Sequence, residues 1–231
     1  MTPIRTAKQR IVPSESPQSS DTLSGQESAI PVIGIAGGIG SGKSSVALWP
    51  NEQFKLHVID ADQVGHYVLT LQSTKQQLKE TFGNSIFDSR GEIVRSQLAR
   101  LVFGDSESRK SAREQLETIV HPEIRKQIEV EIDKVRKQAD ADAIILDAAV
   151  MLESGWFEAC DRIVFVDTPF STRLQRVTEN RGWDEAELKR RESSQWPVSR
   201  KRKAADVVID NSTGIEHAGA QFAQFLASVI N

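Results

Sequence analysis

Hydrophobic and polar positions divide the chain unevenly. Residues 1–29 are rich in Ser, Thr, Pro and Gln and poor in large apolar groups. Such a segment cannot offset its ordering entropy by burial, so a flexible tail is expected there. From residue 31 the texture changes. Five short β-branched runs follow: "PVIGIA" (31–36), "LHVID" (56–60), "AIILD" (143–147), "RIVFVD" (162–167) and "DVVID" (206–210). Each is nearly continuous in apolar character, as in strands covered on both faces. Helix-like segments separate them, which predicts an α/β fold with a five-stranded parallel sheet between helical layers.

The gap at 67–140 reads as helical. Leu116, Ile119, Val120, Ile124, Ile128, Ile132 and Val135 recur at helical spacing. Pro122 does not suit a helix interior but suits a first turn, so a helix is predicted to start near it. The block is expected to be a helical substrate-binding insertion. After the fourth run, Thr168 and Pro169 fit an N-cap followed by Pro at the first helical position. That helix should end near Gly182. The charged stretch "RGWDEAELKRRESSQWPVSRKRK" predicts a helix pair that serves as a lid; the plainer reading is a solvated helical face. The expected division is therefore a tail (1–29), a nucleotide-binding core (30–66, 141–172 and 204–231), a helical substrate domain (67–140) and a lid (173–203).

Between the first predicted strand and the next helix lies "GGIGSGKS", which satisfies G-x-x-x-x-G-K-[ST]. In this context Gly37, Gly38, Ile39, Gly40, Ser41, Gly42, Lys43 and Ser44 are expected to bind ATP, and the fold expected is the three-layer one of P-loop NTPases. Glycines let the chain wrap an anion, and successive N–H groups and a helix N-terminus supply positive potential. Lys43 can reach the β- and γ-phosphates, and Ser44 can ligate Mg²⁺. The competing reading is a glycine-rich turn with a chance lysine. Pro50 lies about two turns into the following helix, which should kink or stop near Trp49.

The second run ends in "HVIDADQVGH". Strand alternation would put Asp60 and Asp62 on one face, and two such charges need something to offset their repulsion. Ligands of open parallel sheets bind at the strands' carboxyl ends, beside the cradle. Asp62 is assigned to accept a proton from the acceptor hydroxyl, and Asp60 to cap the strand or to order water and metal. Asp147 ends another strand, where a carboxylate often holds the Mg²⁺ shell. Two solvated loop carboxylates are the alternative.

Composition narrows the classes. The chain has 231 residues and a formal charge of −3, which gives no global pull toward nucleic acid or anionic membrane. A single cysteine, Cys160, rules out an intrachain disulfide, fits a reducing compartment and reads as a buried, inert thiol. With no apolar span or signal segment, a cytoplasmic protein is expected. The basic cluster "SRKRK" raises nucleic-acid binding, but Glu179, Asp184, Glu185, Glu187 and Glu192 are interleaved with its neighbours. Trp156, Trp183 and Trp196 are expected to pack rather than stack on bases. A GTP switch would carry a late N-K-x-D motif, and the late strand reads "VVIDNSTG" instead.

The motifs together resemble dephospho-coenzyme A kinases. The matching stretches are "VIGIAGGIGSGKSSVA", "VIDADQVGHYVL", "FGNSIFDSRGEIVRSQLARLVFGD", "LETIVHPEIR", "LDAAVMLESG" and "KAADVVIDNSTG". The resemblance implies ATP as co-substrate with Mg²⁺, and transfer of its γ-phosphate to the 3′-hydroxyl of the dephospho-CoA ribose. It implies small-molecule substrates and no obligate protein partner. It matches Asp62 to the family's acceptor-facing aspartate, and His66, Arg95 and His121 to the part that holds dephospho-CoA. Arg176 and Arg181 correspond to lid arginines that contact phosphate, at slightly altered spacing. Ala36 and Ala149 stand where the family commonly has threonine and proline. A P-loop kinase for another small hydroxyl or phosphate acceptor is the remaining alternative; only the helical insertion separates the two.

Overall fold

The computed structural model describes residues 30–104 and 106–230. The expectation of a flexible tail at 1–29 lies outside them. All five apolar runs form strands: β1 (Val32–Gly37), β2 (Leu56–Asp60), β3 (Ala143–Asp147), β4 (Arg162–Asp167) and β5 (Val207–Asp210). They make one parallel sheet in the order β2-β3-β1-β4-β5. β1 is buried throughout because it lies at the centre, covered on both faces.

Two apolar clusters sandwich the sheet. On one side Ile33, Ile35, Ile145 and Val164 meet α1 (Lys43–Leu48) and α9 (Ile215–Val229) through Val46, Phe222 and Leu226. On the other, Val32, Ile144, Leu146 and Phe165 meet α2 (Ala61–Val68) and the second half of α5 (Glu107–Gln138). A third, smaller cluster joins α3 (Gln72–Phe82) and α4 (Arg95–Val102) through Leu78, Leu98 and Val102, with Leu116 and Ile119 of α5 packed against it.

The helix predicted to begin near Pro122 does not begin there. α5 runs unbroken across it for 32 residues. Pro122 removes one backbone bond at a cost of about 3 kcal/mol. That loss is outweighed because both halves bury apolar stripes, Leu116 and Ile119 before the proline and Ile124, Ile128, Ile132 and Val135 after it. Instead, the helix starts where Ser106 caps it, accepting from the Arg109 N–H.

Pro50 acts as expected. α1 stops at Leu48, and Trp49–Glu52 form a 3₁₀ turn with Pro50 in its first turn. Thr168 does not cap α6 (Phe170–Arg181); Pro169 occupies the cap position, and the Thr168 hydroxyl instead donates to the Ser41 carbonyl at 2.9 Å. α6 ends at Gly182, which takes the left-handed conformation that glycine tolerates best. The charged stretch forms the predicted helix pair, α7 (Glu185–Glu192) and α8 (Val198–Ala204).

Cys160 is buried beside Met151, with sulfur atoms 3.8 Å apart. Burial, with the Asp161 charge second, pushes the thiol up to about 12, so it stays protonated and inert at neutral pH. Gly34 of β1 faces this pair: an added Cβ would lie 2.6 Å from the Met151 sulfur and 2.8 Å from the Cys160 sulfur. Gly34→Ala should therefore overpack the core and cost about 1–3 kcal/mol, read as a lower midpoint in urea denaturation.

Candidate active site

The cradle is held from its carbonyl side. Beyond β1 the chain turns through Gly40 and Gly42, both at positive φ (76° and 82°). Arg173 of α6 donates Nη1–H to the Ile39 carbonyl at 3.1 Å. Arg176, one turn further on, donates to the Gly40 and Ser41 carbonyls at 3.5 and 3.1 Å. The Ser41 carbonyl also accepts from Thr168 Oγ1 at 2.9 Å and from Asn211 Nδ2 at 2.8 Å. The Ser41 N–H closes the turn onto the Gly38 carbonyl at 3.1 Å, and a loop whose carbonyls are bonded from outside leaves its other N–H groups for an anion.

At the cradle's foot, Lys43 Nζ lies 3.5 Å from Asp147 Oδ1. The Ser44 hydroxyl donates to the other oxygen of the same carboxylate. Register explains the meeting: Asp147 pairs with Ile35 of β1 and with Asp60 of β2, so strand β3 delivers its carboxylate between them.

Asp60 and Asp62 do not share a strand face. The strand ends at Asp60, and α2 begins at Ala61. Asp60 Oδ1 caps that helix, accepting the backbone N–H of Asp62 at 2.9 Å and of Gln63 at 3.2 Å. Orphan N–H groups of a helix start bind a carboxylate strongly, and this overrides strand alternation. The repulsion between the two aspartates is thereby offset by backbone dipoles. Asp62 is left exposed, and its carboxylate accepts no hydrogen bond among the described residues.

Two cavities meet at the cradle. One, of about 480 Å³, runs over Gly40–Ser45 toward Arg176, Asn180, Arg181 and Asn211. The other, of about 650 Å³, brings Lys43 and Asp62 together with Phe103, Lys110 and Arg113 on one wall and Arg181, Arg190 and Arg191 on another. Lys110, Arg113, Arg190 and Arg191 are cations that sequence reasoning did not single out. Nothing in the sequence set them apart from the other basic residues of α5 and α7. On α7, Arg190 and Arg191 both bond Glu187, at 2.8 and 2.6 Å, and hold its carboxyl down at about 2. Arg181 and Arg191 lie over the Trp183 ring at 4.8 and 4.0 Å.

The three residues matched to the acceptor domain lie apart from this cavity's lining. His66 is exposed on α2, and Arg95 is the exposed first residue of α4. His121 of α5 meets the Trp156 ring edge-on at 5.3 Å, and burial lowers its pKa despite the Glu117 charge.

A sequence model of the dephospho-CoA kinase family matches residues 31–217. The chain belongs to the dephospho-CoA kinase family. It is 35% identical to a dephospho-CoA kinase of Rhodopirellula baltica over 90% of its own length and 95% of the relative's. It is 36% identical to the Aquifex aeolicus dephospho-CoA kinase, over 82% of its own length and 92% of the relative's. Among solved structures, TT1252 from Thermus thermophilus superposes with a TM-score of 0.72 at 30% identity, covering 88% of this chain and all (100%) of that one. Membership in the dephospho-CoA kinase family makes the chain an ATP-dependent phosphotransferase. No helix among the described residues is long and apolar enough to cross a membrane.

The cradle's geometry generates a test. An alanine at 42 would be strained at positive φ, and its Cβ would lie 3.0 Å from Asn211 Nδ2 and 3.1 Å from an Arg176 nitrogen. Gly42→Ala should weaken ATP binding about tenfold, by roughly 1–2 kcal/mol of left-handed strain within the loop. Equilibrium ATP binding by calorimetry checks it.

Proposed function

We propose that this chain performs the transfer in the 650 Å³ cavity, with Asp62 and Lys43 as its catalytic pair. The reaction moves the γ-phosphate of ATP onto the 3′-hydroxyl of the dephospho-CoA ribose, giving coenzyme A and ADP, the last step of coenzyme A biosynthesis. The observation that carries the assignment is the placement of the free Asp62 carboxylate in one cavity with Lys43. Asp62 accepts the hydroxyl proton as the new P–O bond forms and the bond to the ADP oxygen breaks. Lys43 holds the β- and γ-phosphates against the loop's N–H groups. Asp60 plays a different part, pinning the N–H of Asp62 and so fixing where the base stands.

The Ser44 hydroxyl and the Asp147 carboxylate meet beside Lys43 and offer hard oxygen donors, which fits Mg²⁺. Among the described residues no cluster of three or more His, Cys, Asp or Glu could cage a metal, so phosphate oxygens would complete the shell. When bound, Mg²⁺ neutralises charge between the β- and γ-phosphates.

Arg181 lines both cavities and is the stronger phosphate contact of the two lid arginines. Arg176 commits one nitrogen to cradle carbonyls and supports the loop itself. Arg190 and Arg191 add charge above the transferring group. The core at 30–66, 141–172 and 204–231 would carry the nucleotide, the helices at 67–140 the acceptor with His66, Arg95 and His121, and 173–203 the lid. The enzyme acts on small molecules, ATP and dephospho-CoA, in the cytoplasm.

ADP release with dephospho-CoA, AMP and nucleosides offered in parallel tests the acceptor. Only dephospho-CoA should be turned over efficiently, and Lys43→Ala should abolish the signal. Asp62→Asn should cut kcat at least about 100-fold with the KM for ATP nearly unchanged. Turnover near that of the native enzyme would remove Asp62 from the chemistry.

A further inference from the structure

We infer that the ion pair between Arg173 and Glu192 couples the lid to the phosphate cradle, with Arg173 and Glu192 as positioning residues for the lid arginines. Arg173 is 5% exposed, unusual for a side chain that keeps its charge. One guanidinium serves three separate segments. Its Nε donates to the Thr168 carbonyl at the end of β4 (3.2 Å), and its Nη1 donates to the Ile39 carbonyl in the cradle (3.1 Å). The same Nη1 pairs with Glu192, the last residue of α7. Gly38 lies directly over the group: an added Cβ would sit 2.8 Å from Nη1.

Charge explains why the contact is selective. A buried guanidinium needs a counter-charge, and Glu192 is the carboxylate that reaches it. Arg190 and Arg191 immediately precede Glu192 on α7, and both line the transfer cavity. Fixing the end of α7 to the cradle therefore fixes where those two cations stand relative to the phosphates. A second tie holds the far side of the lid: Lys201 of α8, 2% exposed, pairs with Glu153 at 2.9 Å and donates to Gln195 Oε1 at 2.9 Å. That tie anchors α8 to the segment after β3, whereas the Arg173–Glu192 pair joins α7 to the cradle.

The coupling rests on the assignment of Arg190 and Arg191 to the transferring phosphates, and the experiment separates the two. Steady-state kinetics would compare Glu192→Gln, the pair Arg190→Ala with Arg191→Ala, and the triple variant. Misplacing a transition-state contact by about 1 Å can cost about 100-fold. Glu192→Gln is expected to lower kcat about 10- to 100-fold, with the KM for dephospho-CoA within about twofold, when assayed well below the lowered melting temperature that loss of the counter-charge brings. In the double-alanine background the same change should cost less than about twofold, because the groups it positions are gone. Glu192→Asp, which keeps the charge, should recover part of kcat. Native-like kcat in Glu192→Gln, with loss in the double-alanine variant, overturns the coupling alone. Additive losses in the triple variant also overturn it, since they mark a merely structural pair. Native-like kcat in the double-alanine variant overturns both the coupling and the assignment beneath it.

Discussion

The carbonyl oxygens of the phosphate cradle are what the rest of the structure answers to. A loop tight enough to aim successive N–H groups at an anion must aim its carbonyls elsewhere. A buried carbonyl left without a donor costs about 1–3 kcal/mol. Here the donors come from three places: Arg173 and Arg176 of α6, Thr168 after β4 and Asn211 after β5. Each is delivered by the strand order, because β4 lies next to β1 and β5 next to β4. The sheet topology is thus a means of bringing hydrogen-bond donors under one loop, and three of the protein's buried polar residues, Thr168, Arg173 and Asn211, are committed to it.

The carboxylates at the strand ends divide the opposite labour. Asp60 is hydrogen-bonded by helix N–H groups, and Asp147 is paired with Lys43 and bonded by Ser44. Asp62 alone of these three keeps its oxygens unbonded among the described residues, although it is two residues from a cap. Three carboxylates near a phosphate would repel it if all were free. With two already paired, one unbonded carboxylate remains among cations that dominate the cavity. The helix pair repeats the pattern: Glu187 pairs with Arg190 and Arg191 on an exposed face, and Glu192 pairs with the buried Arg173.

The strands were legible because their runs are apolar at nearly every position; β1, β3 and β4 are covered on both faces, whereas the edge strands β2 and β5 are only partly buried. The cradle was legible because its glycines and lysine sit at fixed spacing. Of the local features that misled, two show why. Pro122 looked like a helix start, since sequence shows the lost backbone bond but not the two clusters that hold α5 together on either side. Asp60 and Asp62 looked like strand neighbours, since a capping aspartate cannot be told from a strand-end aspartate without the turn that follows. Arg173, Arg190, Arg191 and Arg113 were illegible as site groups for a different reason. Their roles depend on which loop each reaches across the fold, and a charge-rich helix does not say which of its charges turns inward.

α5 explains how a site split between two packing units stays in register. Its first half carries Lys110 and Arg113 on one wall of the 650 Å³ cavity and packs on the small cluster with α3 and α4. Its second half packs against the sheet beside α2, the helix that carries Asp62. Separate helices starting near Pro122 would let that wall and Asp62 move independently. As one element, the helix ties both to the same axis, and its proline falls between the two packed halves, where one missing hydrogen bond disturbs neither cluster. The placement of that wall relative to Asp62 therefore depends on α5, and a substitution in Ile124 or Ile128 should reach the cavity through that axis.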